Sequence, residues 1–142
     1  MRALGLDLGS RRIGVAVSDR SGTIASPLTV LQRGRARHDD HRRIAELVAA
    51  EEAECVVVGL PLSMSGSLGP AARAALDEVD VLATVVGVPV ETHDERLTTV
   101  TAERMLAEQG RRGQARRQVV DKVAAAVILQ AWLDARRGSG GE

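Results

Sequence analysis

The 142-residue sequence contains no phenylalanine or tyrosine, and Trp132 is its one aromatic residue. Proteins that hold single-stranded nucleic acid by stacking bases on aromatic side chains need several such rings, so that mode is excluded. Cysteine is equally scarce. Cys55 stands alone, which rules out a disulfide framework or a cysteine-based metal site within one chain; its apolar neighbours mark it as an inert core residue. Lys122 is the one lysine, and 19 basic residues balance 19 acidic ones to a formal charge of zero. The whole molecule is therefore not a polycation that would bind nucleic acid indiscriminately. No signal peptide or membrane-length segment is present, because Arg2 and Asp7 interrupt the N-terminus; the expected location is the cytoplasm.

What remains is an aliphatic chain of the right size for one domain, expected over residues 1–136 and followed by a flexible polar tail at 137–142. It opens with two short runs of period two joined by Gly9-Ser10-Arg11-Arg12, the pattern of a β-hairpin. Leu4, Leu6 and Leu8 with Ile13, Val15 and Val17 form one greasy face. Ala3, Gly5, Gly14 and Ala16 form a face of very small residues, and Asp7 shares it. A third strand is predicted at 23–32, where Pro27 argues for a sheet edge or a bulge. A helix follows, capped by Asp39 or Asp40, with Ile44, Leu47 and Val48 on one stripe to about Glu52. Residues 55–58 are a continuous apolar run typical of a central parallel strand.

A serine-rich loop at 59–66 leads into a helix over 68–86, stopped by Gly87 and Pro89. Residues 88–93 read as a last strand. Thr98 or Thr99 then caps a short helix through Ala107, with Met105 and Leu106 on its apolar side. A basic connection at 111–117 precedes a helix at 119–133 that is apolar nearly all round. Three strands followed by two β-helix-β steps give a five-stranded mixed sheet with helices on its faces, an α/β domain.

In open sheets of this kind sites form beyond the carboxyl ends of the parallel strands. Asp7 ends the first strand, Glu95 follows the last, and Asp121 lies in the first turn of the apolar helix. The small face of the hairpin lets Ala124, Ala125 and Ala126 come close and draws the start of that helix towards Asp7. Three converging carboxylates repel one another unless a cation neutralises them. Hard oxygen donors without histidine or cysteine favour Mg²⁺ or Mn²⁺, and a pair of such ions suits hydrolysis of a phosphodiester. Each carboxylate also has a plainer reading. Asp121 suits a helix N-terminus regardless of function, Glu95 beside Arg96 fits a solvated surface, and Asp7 could pair with Arg12. The histidines His38, His41 and His93 read as solvated or hydrogen-bonded structural residues, and the arginine clusters as solvated loops or phosphate contacts.

Four segments, LGLDLGSRRIGVAVSD, VVVGLPLSMSG, THDERLTT and VDKVAAAVILQAWLD, resemble in sequence and order the motifs of the YqgF/RuvX family of bacterial RNase H-like proteins. That resemblance implies an RNase H-like fold, with strands one to three antiparallel and strands one, four and five parallel. It also implies a nuclease whose catalytic and metal-binding acids fall on Asp7, Glu95 and Asp121, the three picked above; without it, Asp94 would have stayed a candidate. Two ions, Mg²⁺ or Mn²⁺, are implied as cofactors. Arg11, Arg12, Arg96, Thr98 and Lys122 are the candidate contacts to nucleic acid. Family members often carry a phenylalanine in the helix after the GLP loop, where this chain has AARAALDEVDVLA; that concerns packing.

Two substrates fit the family: the 5′ end of precursor 16S ribosomal RNA in ribosome biogenesis, or a four-way DNA junction in recombination and repair. The second needs two symmetric cuts and a homodimer, for which the apolar helix at 119–133 leaves a face; the first needs only a monomer. A non-catalytic RNA-binding factor is a third reading. Asp-Leu-Gly-Ser also resembles the first phosphate loop of the actin, Hsp70 and sugar-kinase ATPases, but those need a second phosphate loop and a second domain, which this chain lacks.

Overall fold

A computed structural model describes residues 1–63, 65–98 and 113–139; the side chains of 113–122, 138 and 139 lie outside the described set. Five strands form one sheet: β1 (Ala3–Leu8), β2 (Arg12–Ser18), β3 (Ala25–Gln32), β4 (Cys55–Leu60) and β5 (Val90–Asp94). Their order is β3-β2-β1-β4-β5. The β1–β2 and β2–β3 pairs are antiparallel, and β4 lies parallel to both β1 and β5. This is the mixed topology expected from the sequence. Pro27 satisfies both of its predicted constraints: β3 is an edge strand, and the ladder slips between Val15 and Ala16, where Ala16 faces Pro27.

Strand alternation sorts the core into two layers. Leu4, Leu6, Ile13, Val15, Val56 and Val58 pack against α1 (Arg37–Ala50) and α2 (Pro70–Val86) through Ile44, Val48, Val79 and Leu82. Each such aliphatic chain contributes roughly 1.5–3 kcal/mol on burial. The opposite face carries Ala3, Ala16, Cys55 and Val57 under the long helix α3 (Gly113–Ser139). Here the small residues decide the geometry. A Cβ added at Gly5 would lie 2.7 Å from Leu129 Cβ and 2.9 Å from the Ala125 carbonyl oxygen, so the helix backbone rests directly on the strand. Ala125 and Ala126 are fully buried and Ala124 is half-buried.

Several boundaries differ from the sequence reading. α1 starts at Arg37 with Ala36 as N-cap, so neither Asp39 nor Asp40 caps it. Asp40 is instead buried, accepting from the Gly34 N–H at 2.7 Å and from Arg43 at 2.8 Å. These bonds and the Arg33 charge hold its carboxyl below the usual range despite burial. α3 begins within the expected basic connection and runs to Ser139, so the polar tail expected at 137–142 is helical through 139. Arg137 donates to Asp134 and to the Thr23 carbonyl. Val123 and residues 125–133 of α3 are buried in the single chain; the apolar face allotted to a dimer contact is used internally over that stretch. Met64 of the serine-rich loop and the short helix expected through Ala107, with Thr99, Met105 and Leu106, lie outside the described residues.

Candidate active site

The sheet register brings the first two carboxylates together. Asp7 pairs with Gly14 on β2, and on the other side of β1 the residue before it, Leu6, pairs with Val58, so Asp7 is level with Gly59 at the end of β4. Gly59 in turn pairs with His93 of β5, and Leu60 pairs with Asp94, after which the chain turns into a 3₁₀ helix, Glu95–Thr98. Asp7 and Glu95 thus stand at neighbouring carboxyl ends of parallel strands, where α/β sheets place their sites.

Glu95 folds back over Gly59. A Cβ at Gly59 would stand 3.0 Å from Glu95 Oε2, 3.1 Å from its Cγ and 2.5 Å from Ile128 Cδ1. Glycine here is what admits the glutamate side chain between strand and helix. Half-buried, Glu95 has its pKa pushed up, first by burial and then by the negative charges of Asp7 and Asp94. That the Asp7 charge reaches Glu95 strongly enough to disfavour its ionisation is the clearest electrostatic sign that the two acids share a site.

Asp94, the neighbour that the sequence could not set aside, is engaged elsewhere. Arg96 grips it with Nε at 3.0 and 3.1 Å and Nη2 at 2.6 Å, and its own N–H donates to Asp94 Oδ1 at 2.9 Å. The carboxyl is accordingly held below its usual range, the Arg96 hydrogen bonds being the main cause. Thr98, another candidate contact, donates its hydroxyl to the Glu95 carbonyl at 2.6 Å and closes the turn that presents Glu95. Arg11 and Arg12 are exposed and, with Asp7, Gly9, Ser10, Gly14 and Val30, line an open cavity of about 240 Å³.

The third acid is placed only by its backbone. Ala125 and Leu129 sit over Gly5, and Leu133 reaches Gly22 near the start of β1, so α3 runs antiparallel to β1 and its earlier turns lie towards the Asp7 end. Position 121 is one turn before Ala125, about 6 Å along the axis. The side chains of Asp121 and Lys122 lie outside the described residues. Among the described residues no group of three His, Cys, Asp or Glu side chains stands at metal-binding distance; two, Asp7 and Glu95, converge.

Sequence reasoning missed the polar cluster behind the site. Arg33 makes two bonds to Glu78, at 2.7 and 2.9 Å, and donates through Nε to the Gly9 carbonyl at 2.9 Å. The fully buried His41 donates through Nε2 to Glu78 Oε2 at 2.8 Å. The Arg33 N–H also bonds the Arg11 carbonyl at 2.9 Å. The turn that follows Asp7 is therefore held from outside the hairpin by an internal ion cluster. A glutamate at an inward position of α2's apolar stripe was its one sequence signal. His93 is partly exposed, but its Nε2 is buried without a hydrogen-bond partner among the described residues, and burial pushes its pKa down.

Comparison with known proteins identifies the family and the fold. Residues 1–135 match the family model described as "RuvX: Holliday junction resolvase". A relative from Mycobacterium sp. (strain KMS), named "Putative pre-16S rRNA nuclease", is 47% identical over 97% of this chain and 82% of its own length. One of the same name from Chloroflexus aggregans is 50% identical over 94% of each chain. Among solved structures, "T. thermophilus RuvC in complex with Holliday junction substrate" superposes with a TM-score of 0.65 over 98% of this chain and 97% of that one. Identity there is 21%, so the likeness speaks for the RNase H-like fold.

Proposed function

The chain belongs to the RuvX family, and from that premise we propose that it is a nuclease hydrolysing phosphodiester bonds in structured nucleic acid, its site built on Asp7, Glu95 and Asp121. The observation that supports this most is Glu95 folded over Gly59, level with Asp7 in the sheet register, its pKa raised by burial and then by the Asp7 and Asp94 charges. Two carboxylates brought close raise each other's cost of ionisation, and a bound cation relieves that cost. The donors are hard oxygens, which fit Mg²⁺ or Mn²⁺. Bound there, a pair of such ions stabilises the attacking and leaving oxygens of an in-line displacement.

The chain's own residues supply the rest. Asp7 and Glu95 would hold the cations, joined by Asp121 from the α3 end nearest Asp7. Arg96 keeps Asp94 engaged and out of that cluster, while Thr98 fixes the backbone that presents Glu95. Arg11 and Arg12 in the cavity beside Asp7 offer donors to the phosphates flanking the scissile bond. Lys122, next to Asp121, adds a further positive charge.

The names of the relatives favour precursor 16S ribosomal RNA as substrate; we further propose cleavage at its 5′ end, in the cytoplasm, during ribosome biogenesis. A second reading, resolution of four-way DNA junctions, draws on the family model's own description. It requires a dimer with two sites. Incubating the chain with precursor ribosomal RNA and with a four-way junction, each under Mg²⁺ and under Mn²⁺, tests both. Cleavage of the RNA at a discrete 5′ position, lost in Asp7→Asn, is the expected result. Symmetric cleavage of the junction alone would favour the second reading. No Asp7-dependent cleavage of either substrate would leave a non-catalytic RNA-binding factor.

A further inference from the structure

Most described arginines are already occupied. Arg2 bonds Glu51, Arg20 bonds Glu52, Arg33 bonds Glu78 and Arg42 bonds Asp39. Arg43 and Arg96 bond Asp40 and Asp94. Arg11, Arg35 and Arg37 differ: among the described residues their guanidinium groups have no acceptor, and all three are exposed.

These three belong to one corner of the molecule. Arg11 lies in the β1–β2 turn beside Asp7. Arg35 and Arg37 follow Arg33 by two and four residues, and the Arg33 N–H is bonded to the Arg11 carbonyl. The Arg33 side chain, locked between Glu78 and the Gly9 carbonyl, anchors both segments to each other. The acids nearest in sequence leave this charge standing, since Asp39 is taken by Arg42, and Asp40 by Arg43 and the Gly34 N–H. A chain with no net charge thus carries, among the described residues, unpaired positive charge on Arg11 in the lining of the Asp7 cavity and on Arg35 and Arg37 in the segment bonded to that turn.

We propose that Arg11, Arg35 and Arg37 form a phosphate-binding surface that grips the backbone of a base-paired arm of the substrate next to the cleaved bond. The inference rests on the nuclease reading above and extends it from the site to a second surface. Phosphates are the recognised group, because guanidinium forks match phosphate oxygens. A paired arm is preferred to a single strand for two reasons. Trp132 is buried and no other aromatic exists to stack an unpaired base. A duplex also presents the denser row of charge.

Binding measured in the full-length Asp7→Asn chain, which cannot consume its ligand, tests this. The probes are a labelled RNA stem-loop with a single-stranded extension, a four-way DNA junction, and the RNA extension alone. Adding Arg35→Gln and Arg37→Gln together is expected to weaken binding of a paired probe. The dependence of log K on log salt should become shallower by roughly 0.9 per lost contact, nearly two in all. Whether the RNA or the junction shows the loss identifies which backbone the surface takes. Binding of the extension alone should not change, and Arg20→Gln, an exposed arginine already bonded to Glu52, should leave every slope as it was. An unchanged slope on both paired probes overturns the surface, as does equal loss on the extension or with Arg20→Gln. If the Asp7→Asn parent binds no probe at low salt, the nuclease reading fails first and the surface with it.

Discussion

Glu78 and Glu95 are drawn from water on opposite faces of one sheet, and burial ends differently for each. Burial pushes Glu78 up, but hydrogen bonds from Arg33 and His41 and the charge of Arg33 outweigh it, and its pKa falls. Glu95 meets burial plus two further acids, and its pKa rises. The first is a compensated ion cluster tying α1, α2 and the hairpin turn together. The second has two further acids beside it, a repulsion that a bound cation would relieve under the function proposed above. A buried acid marks a candidate active site when its surroundings fail to compensate it, and a structural brace when they do.

The contrast is broken most completely by removing the uncompensated side. Asp7→Asn or Glu95→Gln is expected to lower the single-turnover cleavage rate by about 10²–10⁴-fold, the equivalent of the several kcal/mol of charge stabilisation a bound cation supplies. Neither should lower the thermal midpoint, since each relieves repulsion. A marked fall in that midpoint alongside the rate would return both acids to a structural role.

Breaking the compensated side should do the reverse. Arg33→Met leaves Glu78 buried with one bonding partner fewer, and unfolding in denaturant should show a loss of about 3 kcal/mol, the low end for an interrupted buried pair because Arg33 keeps some exposure. The turn after Asp7 would also lose its external anchor at Gly9.

A smaller effect is expected where strand and helix touch. Gly5→Ala must displace Leu129 or the α3 backbone, and should cost about 1–3 kcal/mol. Gly5→Val should cost more, and under the proposed function it reduces cleavage as well, because the same helix carries residue 121. Full activity with valine there would separate the close approach of α3 from catalysis.

The smallest effect lies in pH, and its sign differs between the two glutamates. Glu78, lowered in the fold, stabilises the protein above its unfolded pKa, and that contribution disappears as pH falls through the folded value. Glu95, raised in the fold, favours the folded state at low pH, a benefit lost as pH rises from its unfolded to its folded pKa. In metal-free protein Glu95→Gln should therefore be more stable than the parent near neutral pH and not in acid. A denaturation series across pH 4 to about 7 checks this.

Much of the fold was legible because its signals are local. Alternation in β1 and β2, the apolar run at Cys55–Leu60, Gly87 after α2 and the order of elements all act within a few residues. The errors arose where a distant group overrode a local preference. Asp40 looked like a helix cap and instead serves Gly34 and Arg43. Asp94 and Glu95 are adjacent carboxylates that the sequence cannot rank without the family; Arg96 and Gly59 rank them in space.

The sequence by itself determined the strand and helix order, the greasy and small faces of the hairpin, and the position of Asp7, an acid on the small face of a strand. Only the tertiary structure decided that Gly59 would make room for Glu95 beside Asp7, and that Arg33 and His41 would answer Glu78 on the sheet's other face. The reason is physical. Propensity and periodicity are set by neighbours along the chain, whereas the free energy of a buried charge is set by whatever groups the fold places within a few ångströms.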